Sequence, residues 1–134
     1  GELYTDWEPY QHIIDASPAP ERFYTYLKFI PKEDVHVFFS AADLVCLPYA
    51  AASQSGVTAI AMHYHKPVVA TDVGGLKEYF DGNPIGHICA PRDVHALTEA
   101  IRSALSAEPA EAASIATWNA RFAWAAFAQQ CLSA

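Results

Sequence analysis

The chain has 134 residues, enough for one domain with a core of its own. A composition of 52% apolar and 17% charged residues excludes a disordered chain. Fifteen acids against 8 lysines and arginines, a net charge of −7, argue against nucleic-acid binding by charge, which needs a basic face.

No signal peptide is visible, and no apolar run approaches the ~20 residues that span a bilayer. The chain opens on "GELYTDWEPY" without a methionine, and its single Met is Met62. That start is expected of a piece of a longer protein. Cys46, Cys89 and Cys131 form no CxxC pair. An odd count without short spacing reads as buried thiols in a reducing compartment, against a catalytic or metal-binding role.

The elements follow in chain order. Tyr10, Ile13 and Ile14 lie at helical spacing and predict a helix over Glu8 to Ala16. "SPAPER" ends it. "RFYTYLKFI" is aromatic and alternating, which predicts a strand ending near Ile30. Pro31 and the acids after it open a helix whose apolar face is Val35, Val37, Phe38 and Phe39. "DLVCLPY" reads as a buried strand stopped by Pro48. A loop "AAASQS" leads into a helix from about Gly56 to Tyr64, then the strand "PVVATD". "GGLKEYF" is a short helix and "GHICAP" a last short strand. Val94, Leu97, Ile101 and Leu105 repeat at 3-4-4 spacing behind Asp93, a helix with its cap. The Ala-rich remainder reads as one or two helices anchored by Trp118, Phe122, Trp124 and Phe127.

Continuous apolar strands alternating with helices predict an α/β fold, a Rossmann-like parallel sheet with helices on both faces. Such sheets bind ligands outside the carboxyl ends of their strands. The loops after Leu47 and after Ala70 lie on that edge, and they are the richest in Ser, Thr, Asp and Gly.

The first loop carries Ser53-Gln54-Ser55-Gly56-Val57 at a helix start. A helix start has backbone N–H groups without partners and a partial positive charge. Glycine permits close approach, so the segment suits a phosphate or diphosphate. It equally suits an ordinary cap by Ser53 or Ser55. The second loop, Thr71-Asp72-Val73-Gly74-Gly75-Leu76-Lys77-Glu78, is either a second nest of donors or a turn needing positive φ. Neither GxGxxG nor a Walker pattern occurs. His63 and His65, two residues apart, fall on different helix faces, and no HExxH motif exists, so no metal site is expected. His65, just before Lys66-Pro67, is expected to close its helix in left-handed geometry. Asp72 and Glu78 make a carboxylate pair whose spacing predicts no catalysis.

The ordered segments "FIPKEDVHVFFSAADLVCLPY", "SQSGVTAIAMHYHKPVVATDVGGLKEYF" and "GHICAPRDVHALTEAIRSAL" resemble the C-terminal half of family-four glycosyltransferases. These are retaining sugar-nucleotide transferases of the GT-B class, built from two Rossmann-like domains. The resemblance covers most of the chain, and "KPVVATDVGGLKE" is its strongest signature. "FAWAAFAQQCL" is similar to the family's closing Trp-bearing helix.

The resemblance implies one C-terminal sugar-nucleotide-binding domain over residues 1–134. The N-terminal acceptor domain and the first strands would lie in the same, longer chain. Ser55, Gly56 and Val57 would offer backbone donors to the donor diphosphate, within a loop that includes Ser53. Gln54 would face the sugar. Phe29 and Ile30 stand where the family's backbone holds the nucleobase. Gly74, Gly75 and Glu78 match a Gly-Gly-x-x-Glu pattern, and with Asp72 they would form a supporting loop. The family's usual two glutamates fall on Ala52 and Ile60, which carry no carboxylate. Its basic Arg and Lys would precede Gly1, and no catalytic residue is assigned.

The implied function is donor binding in a retaining glycosyltransferase, with a nucleotide-diphosphate sugar as substrate, no cofactor and no metal. The acceptor is unknown. A cytoplasmic location is expected, with room for peripheral membrane association of the full enzyme. The alternative is a non-catalytic α/β interaction module derived from such a domain. An unrelated flavodoxin-like or receiver-like domain fits the order of "SQSGV" and "DVGGLKE" poorly.

Overall fold

A computed structural model describes residues 2–80, 82–108 and 112–120. The chain divides into two compact units, Gly1–His36 and Val37–Ala134.

In the first unit, α1 (Glu8–Asp15) forms as expected, with a proline in its first turn. Its order comes from its own surface. The Trp7 indole N–H donates to Gln11 Oε1 at 3.0 Å, and Gln11 Nε2 donates to Asp15 Oδ1 at 2.7 Å. None of its residues is buried. A 3₁₀ turn follows at Pro20–Arg22.

The strand expected up to Ile30 does not form. Residues 23–29 are exposed and pair with no strand among the described residues. The aromatic alternation there reports suitability for a pleated, half-buried surface. A strand forms only where a neighbour takes its N–H and C=O groups. Helix α2 (Lys32–Ala41) starts where Pro31 predicts. Of its expected apolar face Val37 is exposed, while Val35, Phe38 and Phe39 are half-buried.

The second unit holds a three-stranded parallel sheet, β1 (Val45–Leu47), β2 (Val68–Thr71) and β3 (Gly86–Cys89), in that spatial order. Val45 lies opposite Val68, and Val68 opposite Gly86. The central strand β2 is buried at all four residues, as its uninterrupted apolar run requires. Helices α3 (Gly56–His63), α4 (Leu76–Phe80) and α6 (Ala112–Ala120) carry the apolar residues of one layer: Ala61, Met62, Leu76, Phe80, Ile115 and Trp118 pack with Leu47, Val68 and Ala70. Helix α5 (Val94–Ser106) covers the other face, where Ala104, Leu97 and Ile101 meet Val69 and Cys89. The Rossmann-like arrangement expected from the sequence is therefore present.

Two ends are set by local chemistry. His65 adopts φ 53°. Its N–H donates to Met62 O at 3.0 Å and that of Lys66 to Ala61 O at 2.9 Å, the double closure that ends a helix through a left-handed residue. Asp93 Oδ1 accepts from the Ala96 N–H at 2.9 Å and caps α5. The expected face of α5 holds at Leu97 and Ile101 and fails at its two ends. Val94 is 80% exposed and Leu105 58%, while Ala104 is buried. The small residues Ala96, Ala100 and Ala104 pack on the same cluster between and beside Leu97 and Ile101, and their size lets the helix approach closely. Phe122, Trp124, Phe127 and Cys131 lie outside the described residues.

Leu76 is fully buried in the larger cluster. Leu76→Ala is expected to lower unfolding free energy by about 2–5 kcal/mol in a denaturant titration. Val94→Ala is expected to change it by less than about 0.5 kcal/mol, because an exposed side chain loses little burial. Equal effects would contradict the exposure of Val94.

Candidate functional site

The carboxyl ends of β1 and β2 are tied together by Thr71. Its buried hydroxyl donates to Tyr49 O at 2.6 Å, and Leu47 O lies 3.4 Å away. The Tyr49 N–H donates back to Leu47 O at 2.9 Å. The chain leaving β1 is thus turned at once and held over the end of β2.

The two glycine-bearing loops then touch backbone to backbone. The Gly75 N–H donates to Ser53 O at 3.0 Å. Gly74 has φ 56°, and a Cβ there would stand 1.8 Å from Ala52 O. Left-handed backbone and close approach both demand glycine at this one position. A Cβ on Gly75 would stand 3.2 Å from Ser53 O. Of the two readings of this loop, the positive-φ turn is the one found. The Gly75 N–H is bonded to Ser53 O and is not free to serve as a donor to a ligand.

The first loop differs. Ser55 has the extended geometry of an N-cap residue, φ −138° and ψ 113°, yet no side chain caps α3. The ordinary cap by Ser53 or Ser55 is therefore not made. The Ser55 hydroxyl, in a residue only 7% exposed, shares a 3.1 Å hydrogen bond with the Tyr49 hydroxyl. Among the described residues nothing accepts from the N–H groups of Gly56, Val57 and Thr58. A Cβ on Gly56 would meet nothing within 4 Å, so the space beside the helix start is open. Thr58 is fully buried on the same inner face as Ala61 and Met62, and its hydroxyl has no partner. An uncapped helix start beside open space is suited to an anion.

Ser53 and Gln54 are exposed beside this opening in sequence, and Val57 is 38% exposed. Asp72 and Glu78 are exposed, with Glu78 in the first turn of α4. Ala52 packs against the core, and its carbonyl is the group Gly74 approaches; Ile60 is 37% exposed on α3. Phe29, exposed, and Ile30, half-buried, belong to the first unit. Among the described residues no group of three or more His, Cys, Asp or Glu could hold a metal ion. Tyr49 and Thr71 organise the loop and were not singled out from the sequence. The available signal was a threonine closing an otherwise apolar strand.

Cys46 and Cys89 are free, and burial pushes both thiols up, with Asp93 adding to the effect at Cys89. Raised pKa means less thiolate at neutral pH. Alkylation of both in the native protein at pH 7.5 is expected to be slower than for an unfolded control, with mass spectrometry as the readout. Gly74→Ala is expected to cost more than about 2 kcal/mol by combining positive φ with the clash at Ala52 O. Gly56→Ala, with open space, is expected to stay within about 1 kcal/mol of the parent.

Comparison with known proteins adds the family. The family model described as Glycosyl transferases group 1 matches residues 8–107. The fold is similar to that of sucrose-phosphate synthase from Thermosynechococcus elongatus, with a TM-score of 0.63 and 31% sequence identity. That match covers 81% of this chain and 28% of that one. No curated protein matches the sequence. No helix among the described residues is long and apolar enough to cross a membrane. With a family match over residues 8–107 and a sheet of GT-B type beneath it, the chain belongs to the group 1 glycosyl transferases.

Proposed function

We propose that this chain is the donor-binding part of a retaining glycosyltransferase and holds a nucleotide-diphosphate sugar at the start of α3. One observation carries the reading. The helix start lies beyond the carboxyl end of β1, is braced by the glycine loop after β2, and has neither a side-chain cap nor steric cover over Gly56.

In this reading the N–H groups of Gly56 and Val57, with Ser55 ahead of them, receive the diphosphate. They stabilise it most as it departs and its negative charge grows, as preorganised donors do for a developing oxyanion. Fixed backbone dipoles suit a chain of net charge −7, because they need no local excess of cationic side chains. Gln54 and Ser53 face the sugar side. Phe29 and Ile30 supply backbone to the nucleobase. Gly74 and Gly75 brace the loop, with Asp72 and Glu78 beside them. The donor is a substrate, and no cofactor or metal takes part.

The rest of the enzyme, with the acceptor-binding domain and the basic pair, comes from the same longer chain. Two free described cysteines support a cytoplasmic setting, which leaves room for peripheral membrane association. Ala52 and Ile60, at the positions of the family's usual glutamates, favour a second reading: a non-catalytic interaction module that keeps the fold and has lost donor chemistry.

Titration of the full-length gene product with UDP, GDP and ADP separates the two. The donor reading expects saturable binding of one of them below millimolar concentration. No binding of any at that level supports the interaction module. Gly56→Asp is expected to weaken binding at least tenfold, because it sets a carboxylate against the diphosphate. Its Tm should stay within about 4 °C of the parent, since an acid in the first turn of a helix is tolerated.

A further inference from the structure

Ser55 stands in cap geometry and does not cap. Serine at this position ordinarily turns its hydroxyl onto the N–H of the second or third helical residue, here Val57 or Thr58. Instead the Ser55 and Tyr49 hydroxyls share a 3.1 Å hydrogen bond. Tyr49 is itself fixed at its backbone, where its carbonyl accepts from Thr71 Oγ1 at 2.6 Å and its N–H donates to Leu47 O at 2.9 Å. Its hydroxyl is therefore delivered from a rigid point at the end of the sheet. Under the same first turn lies a second unfilled group. The Thr58 hydroxyl is fully buried and has no partner. It lies on the inner face of the helix with Ala61 and Met62.

We propose that Tyr49 is a positioning residue that holds the Ser55 hydroxyl away from the start of α3 and so keeps the exposed Val57 N–H open for the diphosphate. The inference rests on the donor-binding reading above and adds a residue to it. The competition is internal. A serine hydroxyl and a phosphate oxygen would seek the same N–H, and the serine is always present. Without Tyr49's hydroxyl, Ser55 swings onto the helix, and a ligand must displace it first. The loss in affinity then equals the strength of one N-cap hydrogen bond. The helix gains the cap that it lacks, so folding does not suffer in step with binding.

The test is a double-mutant cycle in the full-length gene product, with UDP, GDP and ADP as probes and thermal unfolding measured alongside. Tyr49→Phe keeps the ring and removes the hydroxyl. It is expected to weaken nucleoside-diphosphate binding about fivefold, the equivalent of one cap, while Tm holds or rises. In the double variant Tyr49→Phe/Ser55→Ala no hydroxyl remains to occupy the helix start. It is expected to bind more tightly than Tyr49→Phe alone. A merely structural role for Tyr49 would give no such recovery. If Tyr49→Phe binds as the parent does, or if the double variant is no tighter than Tyr49→Phe, the positioning role is overturned and donor binding stands. If the parent binds none of the three probes, both fall together.

Discussion

The Ser53–Gly75 contact is a meeting of two main chains, and the candidate site depends on it. The loop after β1 and the loop after β2 approach until a carbonyl and an N–H bond directly, with no side chain between them. Gly74 permits this twice over, by its left-handed backbone and by the empty place where a Cβ would strike Ala52 O. A helix start is useful as an anion site only if it is held still and uncovered. The glycine loop provides the first condition from the far side. Tyr49 and Thr71 provide it from the sheet side, through hydrogen bonds of 3.1 and 2.6 Å.

The same contact assigns different work to two similar loops. Each opens a helix beyond a strand, and each contains glycine. In the second loop the Gly75 N–H is consumed in bracing, and α4 behind it has only five residues. In the first loop the N–H groups are spared, and α3 behind it has eight residues whose dipoles add. One loop braces, and the other leaves its N–H groups without partners among the described residues. For a protein of net charge −7, concentrating positive potential in aligned peptide groups places attraction at one point of an otherwise acidic chain.

Elements whose stability comes from their own pattern were legible in the sequence. The apolar runs of β1, β2 and β3, the Asp93 cap and the left-handed stop at His65 follow from local rules, and the structure has them. Features that depend on a partner were not. Residues 23–29 have strand-like alternation, yet a strand needs a neighbour, and none among the described residues supplies one. Spacing gave α5 a face of Val94, Leu97, Ile101 and Leu105; packing on β2 and β3 keeps Leu97 and Ile101, leaves Val94 and Leu105 exposed and adds Ala96, Ala100 and Ala104. At the carboxyl edge of the sheet, "SQSG" and "DVGG" marked the two loops that meet backbone to backbone. The division of labour between them rests on where the Gly75 N–H points and on the Tyr49 hydroxyl, and no local pattern encodes either.

The central claim is that the start of α3 receives a nucleoside diphosphate through its backbone. Amide-resolved NMR of the protein during addition of the diphosphate that it binds reads this directly. The account predicts the largest shifts, with slowed solvent exchange, at the amides of Gly56 and Val57. The Gly75 amide, already bonded to Ser53 O, should change little. Shifts that leave Gly56 and Val57 unmoved while another surface responds would contradict it.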